Sequence, residues 1–227
     1  MLIQRHVLAS GSSFATPYFV IEGDKTGPNF MIVSGIHGNE VGSIAAAHKL
    51  VDDFKKGKLR INEGRLIIVP IVNKKAYEKR IRGIPDLNRT FPKKANKSAT
   101  HSLAASLFKL ATRYKPSWYL DLHEANGLSQ LNSKVLGQTL ITNPKSLSKP
   151  AIRRIMNRVN GKTQVKSHHF NLRLHELPGS SRTAVARILC AKSITVETCW
   201  SLKRSTRVKY QVDIACSFLR EAGLMNK

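Results

Sequence analysis

The sequence predicts one α/β domain over residues 1–227, built on a mixed, mostly parallel sheet with helices on both faces. Three observations predict it. From residue 30 onward, short apolar runs alternate with segments of helical periodicity, the pattern of strand–helix–strand units. The run RLIIVPIV at 65–72 is apolar almost without alternation, as a strand covered on both faces must be. At 227 residues the chain has the length of one α/β unit, and no repeat, low-complexity tract or linker divides it.

Each element has its own signal. Residues 18–21 and 30–33 read as strands, the second running into Ser34-Gly35. Ile44, Ala45, Leu50, Val51 and Phe54 fall near helical spacing, so 41–56 reads as a helix launched from a strand end and stopped by Gly57. In the strand at 65–72, Pro70 must lie at the end or at a bulge, because it has no N–H for the ladder. Residues 73–99 carry many charges, little periodicity and the breakers Gly83, Pro85 and Pro92, and read as a long ordered loop of the kind that carries function. A helix at 102–114 follows, then a strand at 118–122 leading into His123, a strand at 136–142, a basic helix at 149–160 and a strand at 165–170. A loop around Pro178-Gly179 opens a helix at 181–191, followed by a strand at 193–196 and a final helix at 208–222.

Composition excludes several classes. No apolar run approaches the roughly 18 to 20 residues that cross a bilayer, and MLIQRHVLAS lacks the apolar stretch, about 7 to 15 residues, of a signal peptide. A cytoplasmic protein is expected. Cys190, Cys199 and Cys216 are odd in number with no CxxC spacing, which speaks against a disulfide framework and a thiolate metal site; they are expected to be reduced and mostly buried. The 38 Lys and Arg against 14 Asp and Glu give a formal net charge of +24. Such an excess attracts polyanions or acidic small molecules, so an anionic polymer is a candidate partner, and a non-catalytic polyanion-binding protein is the rival reading from another class. The basic residues are nevertheless spread along the whole chain, no nucleic-acid-binding signature accompanies them, and only 7% of residues are aromatic, which leaves few stacking platforms.

Where acids are scarce, their placement is informative. Glu40, Asp86, Asp121, Glu124 and Glu197 all fall in segments that read as strand ends or the loops that follow, where open α/β sheets bind their ligands. His37 and Glu40 form an H-x-x-E pair in SGIHGNEVGS, three residues apart where the chain turns into a helix, so their side chains can converge on one point. Gly35 and Gly38 let the backbone bend there. His123 closes another strand, and two imidazoles plus one carboxylate form the set that leaves zinc an open position for water.

Four blocks in chain order, GIHGNE (35–40), DLNRTFP (86–92), DLHEA (121–125) and TVET (195–198), resemble the succinylglutamate desuccinylase/aspartoacylase family, a branch of the carboxypeptidase A-like zinc hydrolases. The resemblance implies a zinc carboxypeptidase-like fold and one zinc per chain, with His37, Glu40 and His123 as its ligands. It implies that Asp86 is the carboxylate behind His37, fixing its tautomer. It also implies that Asn88 and Arg89 face the pocket, that Arg82 is a further pocket arginine in the same loop, and that Glu197 is the general base.

Residue chemistry supports the same roles independently. A carboxylate in SITVETC is poorly explained as a core residue, and near zinc it can take a proton from the attacking water. Arginine binds a carboxylate through two parallel hydrogen bonds and stabilises an oxyanion, which suits Arg89; Lys79, Arg80 and Arg82 also read as a solvated basic loop. Arg182, opening a helix fifteen residues before Glu197, is a further candidate for the substrate pocket. Glu124 reads as a packing or outer-shell partner, and His168, His169 and His175 as solvated.

The implied activity is zinc-dependent hydrolysis of an amide bond in a small anionic N-acyl amino acid or peptide. It takes one of two forms, a deacylase of N-acyl amino acids or a metallocarboxypeptidase acting on small or cell-wall peptides. Longer family members add a C-terminal β domain that shapes the substrate channel, whereas this chain ends after its final helix; the expectation is one catalytic domain with a more open cleft. Carboxypeptidases of the superfamily place a pocket tyrosine before the base, but there is no Tyr between Tyr119 and Tyr210, so His175 and Arg182 are the candidate substitutes. Oligomeric state is not legible in the sequence.

Overall fold

Eight strands form one sheet in the order β1-β2-β4-β3-β5-β8-β6-β7 in the computed structural model, which describes residues 1–226. The strands are β1 (Leu2–Leu8), β2 (Thr16–Glu22), β3 (Lys25–Ser34), β4 (Glu63–Val69), β5 (Trp118–Ala125), β6 (Thr139–Thr142), β7 (Asn171–Leu174) and β8 (Lys192–Cys199). The four central strands β4, β3, β5 and β8 run parallel, while β2 pairs antiparallel with β4 at one flank and β6 antiparallel with β8 at the other. The helices are α1 (Val41–Lys55), α2 (Lys74–Glu78), α3 (Ser102–Tyr114), α4 (Lys149–Asn160), α5 (Ser181–Ile188) and α6 (Arg204–Glu221).

Strand alternation divides the interior into two cores. Phe30, Ile32, Leu66, Ile68 and Leu120 face α1, α4 and α6, which close over them with Leu50, Ile155 and Phe218. Met31, Val33, Ile67, Val69 and Tyr119 face the other way and are covered by Leu103 and Leu107 of α3 and by Ala184 and Val185 of α5. Both faces of the central strands are therefore buried, which is why RLIIV lacks polar alternation. Pro70 sits immediately beyond β4.

Several expectations need correction. The loop expected over 73–99 contains the short helix α2 and a 3-10 turn at Leu87–Arg89. β1, unforeseen, is an edge strand whose apolar residues Leu2 and Val7 remain exposed, and its register is set by β2 rather than by burial. The strand expected at 165–170 is absent: Lys166–His168 is a 3-10 turn and the strand starts at Asn171. The cause lies at Phe170, whose N–H donates to Asn160 Oδ1 at 2.7 Å while its carbonyl accepts from Asn160 Nδ2 at 3.0 Å, so a side chain takes both ladder groups. β6 begins only at Thr139, after Gln138 at φ +62°, and α5 stops at Ile188, before Cys190 at φ +58°. α6 starts at Arg204, before the expected 208. Cys199 and Cys216 are buried and Cys190 is exposed, all three with free thiols. Among the described residues, no helix is long and apolar enough to cross a membrane.

Candidate metal centre and adjoining cavity

The carboxyl ends of β3 and β5 bring together the three expected ligand residues. His37 and Glu40 lie in the turn between β3 and α1, and α2 packs against this turn so closely that a Cβ on Gly38 would stand 2.0 Å from the Ala76 carbonyl carbon. Glu40 Oε1 is 2.6 Å from His37 Nδ1, and Glu40 Oε2 is 2.8 Å from His123 Nδ1. One ligand atom from each of the three residues lies within 4.8 Å of the others, and all three residues are buried, Glu40 to 1% exposure.

Each imidazole is oriented from behind. His37 Nε2 lies 3.0 Å from Asp86 Oδ1. His123 Nε2 lies 2.9 Å from Asp121 Oδ1 in a fully buried ion-pair contact, and the other Asp121 oxygen accepts the Ser181 hydroxyl. Sequence reasoning noticed Asp121 but gave it no role. The signal was present, since the aspartate and histidine of DLH are two residues apart on a strand and share a face.

The electrostatics follow from these contacts. Burial works against the Glu40 charge, but His123 and His37 outweigh it and hold the carboxyl down at about 2. Burial likewise opposes the Asp86 charge, and His37 and Arg82 hold that carboxyl well below the usual range. The His123 imidazole is disfavoured as a cation by burial, yet Asp121 and Glu40 push its pKa well up. Two imidazole nitrogens and a carboxylate converging on one buried point, each imidazole with its remote nitrogen on a second carboxylate, fit a zinc site in both donor set and support.

Glu197 on β8 is the register partner of His123 on β5. It is 8% exposed and its Oε2 has no hydrogen-bond partner among the described residues. Burial pushes its carboxyl up to about 8, with His123 pulling against that shift and Glu40 and Asp121 adding to it. Beside it opens a cavity of about 480 Å³ whose lining includes Glu197, Asn88, Arg89, His175, Arg182 and Arg173. Asn88 accepts from Ser181 N–H at 2.9 Å, which ties the 3-10 turn to the start of α5. Arg89 is half-exposed and donates to the Asn88 carbonyl at 2.8 Å.

Arg182, only 3% exposed, donates to Asn143 Oδ1 and, at 2.7 Å, to the His175 carbonyl; burial pulls its pKa down to about 10. Arg82 stands apart from this lining. Its guanidinium donates to Asp86 Oδ2 at 3.2 and 3.0 Å and comes within 3.9 Å of Glu40 Oε1, over the ligand cluster. Of the three late histidines only His175 reaches the cavity. Arg173 and Lys134 also line it and were missed, because a strand residue and a loop residue 39 positions apart meet only in the fold, where Arg173 donates to the Ser133 and Val135 carbonyls on either side of Lys134.

The catalytic-domain model of the succinylglutamate desuccinylase/aspartoacylase family matches residues 26–197. Among curated proteins, none matches the chain. Among solved structures, the tripeptide-bound cell shape determinant Csd4 from Helicobacter pylori superposes with a TM-score of 0.71 at 16% identity, over 90% of this chain and 55% of that one. An aspartoacylase family protein from Mesorhizobium loti gives 0.68 at 22% identity, over 99% of this chain and 68% of that one. A succinylglutamate desuccinylase/aspartoacylase from Rhodobacter sphaeroides gives 0.70 at 16% identity, over 98% and 66%. The chain thus spans little more than half the length of Csd4, and at these identities the likeness to solved structures is one of fold. With the family model covering its sheet from β3 to Glu197, the chain belongs to the succinylglutamate desuccinylase/aspartoacylase catalytic-domain family.

Proposed function

We propose that the protein is a zinc-dependent hydrolase of amide bonds in small anionic N-acyl amino acids. The observation that carries the reading is the convergence of His37 Nδ1, Glu40 and His123 Nδ1 on one buried point, with the unpartnered Glu197 carboxylate on the neighbouring strand. His37, Glu40 and His123 would hold one zinc ion per chain, and Asp86 and Asp121 would fix the two imidazoles. When bound, zinc supplies Lewis acidity that makes water a nucleophile near neutral pH.

The remaining chemistry belongs to the chain. Glu197 takes the proton of the attacking water and returns it to the leaving amine. Arg89 and Asn88, with Arg182 behind them, bind the anionic end of the substrate through charge-assisted hydrogen bonds. Arg82, beside Asp86 and Glu40, stabilises the oxyanion of the tetrahedral intermediate. Arg182 and Glu197 lie at the buried end of the cavity, where contacts to charge are strengthened, while Arg89 and His175 line its exposed side.

A second reading, a metallocarboxypeptidase on small or cell-wall peptides, draws support from a fold shared with a tripeptide-bound protein and with an mDAP-bound D,L-carboxypeptidase. A protein that only bound polyanions would need none of the three buried, converging ligand groups, so that reading is the weakest.

Hydrolysis of N-acetyl-L-aspartate, N-succinyl-L-glutamate and a tripeptide by zinc-loaded wild type and Glu197→Gln separates the alternatives. Release of the amino acid from either acylated substrate, lost in Glu197→Gln, supports the deacylase. Release of the C-terminal residue from the tripeptide alone supports the carboxypeptidase. No turnover of any of the three by zinc-loaded wild type contradicts both.

A further inference from the structure

Glu40 occupies the N-cap position of α1, where a polar side chain ordinarily accepts a hydrogen bond from the second or third helical N–H. It makes no such bond, because its carboxylate is committed to His37 and His123, and the first turn of α1 holds no other acid. The capping task falls to a strand on the other side of the turn. Glu124 Oε2 accepts from the Gly42 N–H at 2.7 Å, so the positive end of the helix still meets an anion. A Cβ on residue 42 would stand 2.2 Å from Glu124 Oε1, so only glycine admits the carboxylate.

Glu124 is itself held. It follows His123 on β5 and, by strand alternation, points to the opposite face. There Arg207, in the first turn of α6, donates to Glu124 Oε1 and, through Nε at 3.0 Å, to the Leu202 carbonyl. One turn further along α6, on the same helix face, Gln211 Nε2 donates to the His123 carbonyl at 2.8 Å and to Thr198 Oγ1 at 2.9 Å. Helix α6 thus grips His123 and Glu124 on β5 and the residue after Glu197 on β8.

We infer that Glu124, clamped by Arg207, is a positioning residue that caps α1 in place of Glu40 and so leaves the Glu40 carboxylate free to ligate metal. This rests on the zinc-site reading above. Without Glu124 the Gly42 N–H becomes a buried donor with no acceptor. The residue placed to satisfy it is Glu40, two positions earlier at the N-cap, and turning that carboxylate onto the helix removes one ligand from the metal point.

Two substitutions displace the brace by independent routes: Glu124→Met removes the acceptor, and Gly42→Ala wedges it away from the helix. The readouts are zinc affinity, by competition with a chromophoric chelator, and the visible spectrum of cobalt-substituted protein, which reports ligand number and geometry without any activity. Both variants are expected to bind zinc about 10- to 100-fold more weakly than wild type, the range for loss of an outer-shell partner, and to alter the cobalt spectrum. A folded variant of either kind with wild-type affinity and an unchanged spectrum overturns the inference. If Glu124→Met does not fold, Gly42→Ala decides alone, since a merely structural role predicts a shifted melting temperature with unshifted zinc affinity. Wild type that binds no zinc overturns the zinc-site reading itself, a result distinguishable from wild-type binding that both variants share.

Discussion

His37 and His123 both turn Nδ1 toward Glu40 and Nε2 toward an aspartate, but the two aspartates live in different surroundings. Asp121 is on the same strand as its histidine, fully buried, and shares its other oxygen with Ser181. Asp86 is in a loop, partly exposed, and shares its carboxylate with Arg82 at 3.0 Å and, more loosely, with Arg89 at 3.7 Å. The sheet therefore sets one ligand before any substrate arrives. The other is set by a loop that also carries the proposed substrate arginines. On the proposed reading, metal support and anion binding are coupled directly on the His37 side, through Arg82 and Arg89, and only at one remove on the His123 side, through Ser181, whose hydroxyl donates to Asp121 and whose N–H donates to Asn88.

The largest expected effect lies beyond both braces, at the proposed base. Glu197→Gln should lower turnover by about 10²- to 10⁴-fold while leaving zinc content unchanged, as measured by steady-state kinetics and elemental analysis. An undiminished rate would move the base elsewhere.

Asp121→Ala comes next. It leaves the Ser181 hydroxyl buried without its acceptor and strips His123 of its buried ion-pair partner, so denaturant unfolding should report a loss of about 2 to 4 kcal/mol together with weaker zinc binding. Asp86→Ala should weaken zinc binding by a similar factor of about 10 to 100 but cost less, about 1 to 2 kcal/mol, because the acceptor it takes from Asn88 N–H and His37 Nε2 sits at a partly exposed site. It should also lower kcat, because Arg82, proposed to stabilise the oxyanion, is released. Equal stability losses for the two alanine variants would remove the contrast between core-set and loop-set ligands.

The smallest effect is a control remote from both. Burial on α6 pushes the Cys216 thiol from an ordinary value near 9 up to about 11. The folded state therefore holds the proton more tightly, and the contribution to stability is complete below the unfolded pKa and is lost as pH rises from about 9 toward 11, by about 1 to 2 kcal/mol. Cys216→Ala should flatten that slope relative to wild type. The slope should be the same in the Asp86→Ala background, since distant sites add.

Much of the arrangement was legible because it is local. The H-x-x-E pair, the strand-end His123 and the apolar RLIIV run each carry their signal within a few residues, and the order of blocks from Gly35 to Thr198 did the rest. What escaped was non-local. β1 has too few inward apolar residues to declare itself and exists because β2 offers a free edge. The strand misplaced at 165–170 was displaced by one side chain, Asn160, reaching from the end of α4. Arg173 enters the cavity through strand pairing, and Glu124 acquires its task only when β5, α1 and α6 meet.

The central claim is a three-ligand zinc centre at His37, Glu40 and His123. Its most direct test is elemental analysis of wild type and of the His37→Ala, Glu40→Ala and His123→Ala variants, each purified without added metal and then loaded with zinc and desalted. The account predicts about one zinc per chain in wild type, lost in each folded variant. Wild type that retains no zinc after loading, or variants that retain it undiminished, would contradict it.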